Sequence, residues 1–458
     1  METQPGTPVE LVPLDEQVGG VLADAMLPPP AVPPARARSF AWGSLVQWMR
    51  RGAWAIADQV TFAASNFLLN IALARLISPA SYGTFTLAYT IFLLLATFHT
   101  SLIVEPMLVF GAGKFADRPS EYLSELMRSH WQFGFIAGGL LLAAAAVTDA
   151  LGYGTLAAAL VALTVATPLV LLQWLTRRAC YVRFETPLAA QGGVLYIVCL
   201  GVGAYLLYAR GLLTSVTAIL LMGVASLASG AWIMARLHLR PFARSQRALR
   251  EAIVAEHWEY GRWVIGSNIL GWAPQSIYFF VLPITVGIVG TATMKALINL
   301  ILPVLHTYLP LSILLVPALV RAPSRRAFKT TVYVASLVAV LCSTAYWLLL
   351  GTLHQPLVAW IYKGNYVADA GLLWILGLVP ISGAVVAVAG GALRALERPN
   401  LLFRAYAIST AVSATIGLAL LFLAGLRGAV IGYTLSSVAT AITMGMSLQR
   451  ELRATAAA

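Results

Sequence analysis

The stretch ALARLISPASYGTFTLA, residues 72–88, carries an arginine at the end of a long apolar run, then Ser-Pro, then Tyr-Gly, then more apolar residues. Proline disfavours helical backbone in the residue before it, and glycine accepts strained turn geometry. Ser78-Pro79 and Tyr82-Gly83 therefore read as the turn of a helical hairpin, with Arg75 at its mouth. Whether that hairpin sits in water or in lipid is decided by the rest of the chain.

Of the 458 residues, 59% are hydrophobic and only 10% charged, and the mean hydropathy is +0.81. No ordinary soluble surface can be built from that composition, so the chain reads as a polytopic membrane protein. Its net charge of +12 does not point to nucleic acid, because the basic residues punctuate apolar spans instead of forming one tract with interleaved aromatics. Cys180, Cys199 and Cys342 are too scattered for a disulfide framework or a zinc site.

A bilayer core requires about 20 apolar residues per helix. Twelve spans meet that length, near 54–76, 83–110, 130–148, 155–175, 188–208, 212–235, 261–286, 290–320, 330–352, 370–393, 402–424 and 427–449. Residues 1–40, including LPPPAVPPARAR, lack a sustained apolar period and read as a disordered, proline-rich tail. With that tail in the cytoplasm, 25 of the 30 Lys and Arg residues fall on the cytoplasmic side, which predicts that both termini lie inside. The longest cytoplasmic connection divides the spans six and six. The expected organisation is a first lobe over 41–235, an amphipathic linker over 236–260 and a second lobe over 261–450.

Polar side chains enter the hydrocarbon in few places. Asp58, Gln59, Asn66 and Asn70 lie in span 1, and His99 and Glu105 in span 2. Asn268 and Gln275 lie in span 7, and Lys295, Asn299 and His306 in span 8. These are the first hairpins of the two halves. Residues four, seven or eleven apart lie within about 40° of one another on a helix, so Gln59, Asn66 and Asn70 share a face, as do Asn268 and Gln275, and Lys295, Asn299 and His306. Such residues are expensive in lipid and normally face a bundle interior or a water-filled cavity. The predicted fold is all-α, with twelve transmembrane helices in two six-helix lobes around a central cavity lined by the two polar hairpins.

Three stretches carry a family resemblance: residues 72–88, LVAWIYKGNYVADAGLLWILGLVP (357–380) and GLRGAVIGYTLSSV (425–438). Together they make residues 45–450 resemble the polysaccharide-export (O-antigen and exopolysaccharide flippase) branch of the multidrug/oligosaccharidyl-lipid/polysaccharide (MOP) flippase superfamily. The resemblance implies two six-helix lobes around a cavity lined largely by helices 1, 2, 7 and 8. It also implies transport of undecaprenyl-pyrophosphate-linked oligosaccharide between leaflets of a bacterial inner membrane. Expected partners are that lipid-linked substrate, membrane lipids, and a polysaccharide polymerase or other glycan-assembly proteins; no cofactor is implied.

Within the polar set, Lys295 is the sharpest candidate. An ammonium beside water in a low-dielectric cleft attracts a diphosphate strongly, while Asn66, Asn70, Asn268, Gln275 and Asn299 are suited to sugar hydroxyls. Snorkelling to the nearby headgroups is the alternative for Lys295 and for Arg75, whose other reading is substrate contact at the exit. His306 reads either as a satisfied interior histidine or as a proton site. Asp58 and Glu105 read as partners of arginines such as Arg51, or as groups for a coupling ion. Glu105 precedes Pro106, where broken helical bonding favours a gate.

Catalysis is not expected. No large outer loop with acids is present, and no acidic pair, HExxH, nucleophile motif or phosphate loop appears at credible spacing. Two rival readings remain: a cation-coupled drug or small-metabolite antiporter of the same superfamily, and a non-transporting scaffold of a glycan-assembly complex. The confinement of eleven polar intrusions to two hairpins weighs against the scaffold.

Overall fold

The structure, a computed structural model, describes residues 42–239 and 247–457. The tail expected over 1–40 and part of the expected linker, 240–246, lie outside the described residues. Every regular element among the described residues is helical, as lipid demands of a single chain that must satisfy its own backbone.

The first lobe contains α1 (Trp42–Leu76), α2 (Pro79–Phe110), α3 (Pro119–Ala150), α4 (Gly154–Val182), α5 (Thr186–Ala209) and α6 (Ser215–Arg236). The second contains α7 (Arg247–Thr285), α8 (Ile288–Leu305), α9 (Tyr308–Val320), α10 (Arg325–Thr352), the short α11 (His354–Tyr362), α12 (Leu378–Ala395), α13 (Pro399–Val412) and α14 (Leu418–Ala457). Among the described residues, ten helical stretches are long and apolar enough to cross a membrane. The last of these, Pro399–Arg453, is broken at Ala424 and Gly425, where Gly425 takes φ 55° and ψ −133°, and so makes two passes. α7, whose apolar half is diluted by Asn268 and Gln275, makes the twelfth. α8 and α9 together form one pass.

The α1–α2 turn follows from its sequence. Ser78 is extended, its hydroxyl accepts from the Ser81 N–H at 3.2 Å, and Pro79 opens α2, a position where its missing N–H costs nothing. This end of the bundle is called the turn end here, and the opposite end, where α6 gives way to α7, the terminus end. Residues 247–260, read from sequence as part of a surface linker, are continuous with span 7 in a 39-residue helix.

The apolar core shows how the lobes meet. One buried cluster crosses both lobes in the turn half, joining Leu73, Tyr82 and Phe85 to Leu297, Tyr362 and Leu373. In the terminus half the core divides into a cluster around Leu126, Leu175 and Ile233 of the first lobe and another around Leu319, Val388 and Leu393 of the second. Only the first turns of α7, through Ile253, join the first-lobe cluster. The two lobes are thus fused at the turn end and part toward the terminus end.

Candidate functional site

The fused end is held by a polar chain across the lobes. Tyr82 Oη donates to Asn70 Oδ1 at 3.3 Å and accepts from Asn299 Nδ2 at 2.8 Å, linking α1, α2 and α8. Asn299 Oδ1 is buried without a hydrogen-bond partner among the described residues. Gly83 makes this approach possible: a Cβ there would stand 2.1 Å from the Ile288 carbonyl oxygen. One helical turn further out, Arg75 Nη1 donates to the carbonyls of Trp360 (2.5 Å) and Ile361 (2.7 Å). Those carbonyls belong to the last turn of α11, where the helix offers them no partner of its own. In this conformation Arg75 is a cross-lobe cap.

The other stripe residues lie at different levels: Lys295 is one helical turn to the turn-end side of Asn299 on α8, within the fused half, whereas Gln59, Asn66, Asn268 and His306 lie toward the terminus end. Gln59, Asn66, Asn268 and Lys295 are half-buried, and Gln275 and His306 are exposed. Asn66 Nδ2 donates to the Phe62 carbonyl in its own helix, and Tyr89 Oη reaches Asn66 Oδ1 at 3.5 Å. His306 does not continue the α8 stripe on an unbroken helix. α8 ends at Leu305 and α9 begins at Tyr308, because Pro310 has no N–H to offer the His306 carbonyl. Among the described residues Lys295 has no hydrogen-bond partner and no carboxylate within 4.0 Å.

The two acids are both engaged. Asp58, fully buried, receives Arg177 Nε at 2.6 Å on one oxygen and Tyr181 Oη at 2.5 Å on the other. Glu105 Oε1 accepts from Asn268 Nδ2 at 3.0 Å across the lobe seam, and the same amide reaches Ser101 Oγ at 3.0 Å. α2 contains a π-turn, Thr100–Val104, directly before Glu105. Pro106 cannot donate to the Leu102 carbonyl four residues back, and His257 Nδ1 of α7 takes that carbonyl at 3.0 Å. Since a carbonyl only accepts, Nδ1 carries the proton, and His257 Nε2 accepts from Tyr122 Oη at 2.7 Å. Lys114 pairs with Glu256, and Arg250 Nε lies 3.0 Å from Glu125 Oε1. Gly261 admits the close packing, its virtual Cβ falling 2.9 Å from the Ser101 carbonyl oxygen.

The two seams therefore differ. On the α2–α7 side, bonds run to the terminus end. On the other side, no hydrogen bond or ion pair joins α1 to α9 among the described residues, and α9 is anchored inside its own lobe by Tyr308 Oη, which meets Ser343 Oγ at 2.6 Å and the Pro380 carbonyl at 2.5 Å. The lobes are thus joined at the turn end and, among the described residues, unbridged by hydrogen bonds or ion pairs between α1 and α9 on the other flank.

Sequence reasoning missed several contributors. Tyr82, Phe85, Tyr89 and Phe92 form a stacked ladder with centroids 5.6–6.3 Å apart along α2; their three- and four-residue spacing was the available signal. His130 and Gln173 are buried polar residues inside α3 and α4, at the ends of the apolar windows that located those helices. His130 Nδ1 meets His99 Nε2 at 3.0 Å, and Gln173 bonds Ser226 and Ser229 of α6.

No family model matches the sequence, and no curated protein matches it. Solved structures do. An inward-facing multidrug-resistance MATE-family transporter of the MOP superfamily matches with a TM-score of 0.70 at 14% identity, over 87% of this chain and 98% of its own. The chain has the MOP-transporter fold. The lipid II flippase MurJ, in an inward closed conformation, matches with a TM-score of 0.69 at 11% identity, over 87% of each chain. A MOP-superfamily transporter from Pyrococcus furiosus Vc1, described by the reverse polarity of its binding pocket, matches with a TM-score of 0.62 at 14% identity, over 88% of this chain and 95% of that one. Proteins described for drug resistance and for lipid II thus share the MOP fold, and what distinguishes this chain must be sought in the charges of its own cleft.

Proposed function

We propose that the chain is a flippase of the polysaccharide-export type, carrying undecaprenyl-pyrophosphate-linked oligosaccharide across a bacterial inner membrane by alternating access. The observation that carries this reading is Lys295, a membrane-embedded ammonium with no anionic partner among the described residues, one helical turn from Asn299 on the stripe of amides. A cation held unpaired at that depth is costly unless a ligand compensates it, and it repels the cationic substrates a drug exporter would carry. The acids an antiporter would use are already bonded, Asp58 to Arg177 and Tyr181, and Glu105 to Asn268. Asparagine and glutamine side chains and the Tyr89 hydroxyl suit sugar hydroxyls. The open α1–α9 flank lets a polyprenyl tail remain in lipid while the headgroup enters the cleft.

In this reading both termini face the cytoplasm, supported by the 25 basic residues on that side, and the structure is the inward-open state. The lobes rock to release Arg75 and Asn299 at the outer end. Deleting the gene should abolish a surface glycan and accumulate its lipid-linked precursor on the inner leaflet without altering sensitivity to cationic drugs. Normal surface glycan with new drug sensitivity would overturn the proposal in favour of the antiporter.

A further inference from the structure

The two arginines that end α4, Arg177 and Arg178, look equivalent in the sequence, where both read as topology signals at a membrane edge. In the structure α4 continues to Val182, which places both inside the helix. Consecutive residues diverge by about 100° around a helix, and the pair is split accordingly. Arg177 turns into the first lobe, buried, with Nε on Asp58 and its guanidinium 4.2 Å from the Phe62 ring centroid. Arg178 is half-buried, its guanidinium 5.7 Å from the Tyr181 ring centroid, within electrostatic reach of Asp58 and Glu105.

Neither acid takes it. Asp58 spends both oxygens on Arg177 and Tyr181, and Glu105 is held by Asn268 of the opposite lobe. Among the described residues Arg178 makes no hydrogen bond and has no carboxylate within 4.0 Å. A guanidinium withdrawn from bulk water and left without an acceptor is unfavourable, and its planar fork fits the oxygens of a phosphate better than any other side chain does.

We propose that Arg178 is a second phosphate-binding group, placed at the terminus mouth of the cleft, which receives the pyrophosphate of the lipid-linked substrate before Lys295 does. The inference rests on the transport reading above and adds a station to it. Counting along α1 from Leu76 and along α8 from Ile288 at the helical rise, the level of Asp58 and Arg178 lies roughly 16 Å deeper from the turn end than Lys295. One pyrophosphate cannot span that distance, so the two cations act in succession: Arg178 captures, and Lys295, one turn to the turn-end side of Asn299, takes the headgroup as that gate opens. Bulk anionic phospholipid offers related phosphate chemistry, and the test separates the two.

The experiment measures binding of geranylgeranyl pyrophosphate to the full-length protein in phosphatidylcholine nanodiscs, and in parallel the flipping rate of a lipid-linked oligosaccharide against its concentration in vesicles. Arg178→Gln should weaken binding of the pyrophosphate about tenfold and raise the half-saturating substrate concentration more than it lowers the maximal rate. Arg178→Lys should recover part of both, with an unchanged melting temperature for each variant. Phosphatidylglycerol in the nanodiscs should leave binding intact; displacement by it would assign the site to bulk lipid and overturn the proposal. Wild-type binding by Arg178→Gln, or no binding by the wild type, would also overturn it. Arg178-dependent binding without glycan flipping would keep the phosphate site and reject the transport reading, so the two claims fail separately.

Discussion

Asn299 of the second lobe donates to the Tyr82 hydroxyl of the first at 2.8 Å, and this one bond, with Asn70 behind it, is the polar centre of the closed turn end. Tyr82→Phe removes both bonds and leaves Asn70 and Asn299 to find water. The loss of a buried bond of this type costs on the order of 1–3 kcal/mol, enough to shift a lobe equilibrium about ten-fold. Cysteine labelling at the turn end should accelerate in Tyr82→Phe and more strongly in Gly83→Val, where the added side chain collides with the Ile288 carbonyl. Unchanged labelling in Gly83→Val would mean the turn end does not close by this contact.

Asp58 and Arg177 form a buried pair, and breaking such a pair from one side strands a charge, at a cost of about 3–5 kcal/mol. Asp58→Ala should therefore lower membrane abundance and thermal stability sharply. Asp58→Leu combined with Arg177→Met removes both charges and should regain most of the stability, with transport per folded molecule retained. Stable but inactive double-variant protein would instead assign the pair to ion coupling.

His257 ties α7 to α2 and α3 at the terminus end, on the stretch preceding the membrane span. Burial pushes its imidazole down to about 4, with the Leu102 carbonyl bond and Glu256 opposing. The latched form holds the ring neutral, whereas a released ring titrates near 6.5. The latch is therefore intact above pH 6.5 and weakens as pH falls from 6.5 toward 4, where the released form binds the extra proton. Spin labels at Ala116→Cys and Ala255→Cys, in a background lacking the native cysteines, should show longer or broader separations on acidification. His257→Gln, which keeps a donor and an acceptor but no titration, should remove that pH dependence; a pH response unchanged in His257→Gln would place the sensor elsewhere.

Much of this architecture is legible in the sequence because lipid restricts it so severely. The Ser78-Pro79 turn, the helical passes and the polar stripes on α1, α7 and α8 follow from composition, spacing and turn chemistry. The partners of those polar groups are not legible. Arg75 meets carbonyls 285 and 286 residues away, and Asp58 meets Arg177 across 119, pairings that only the packed lobes create. Apolar windows report the lipid-facing part of a helix, so they stopped short of Arg177 and the first half of α7, where helices continue into lobe-buried ground. The π-turn at Thr100–Val104 has no periodic signature; Pro106 marks it only once its missing donor is matched with His257.

The claim on which the account depends is that Lys295 holds an anionic headgroup in the cleft. It is tested most directly in reconstituted vesicles, by the rate at which a lipid-linked oligosaccharide becomes accessible to an added glycan-modifying enzyme. Wild-type protein should accelerate that exposure, Lys295→Arg should retain part of the rate, and Lys295→Ala should lose about ten-fold or more, since a charge-assisted contact is worth roughly 1.5–3 kcal/mol. Lys295→Glu, which repels phosphate, should be slowest, with all variants at equal abundance in the vesicles. Wild-type rates in both Lys295→Ala and Lys295→Glu would contradict the account.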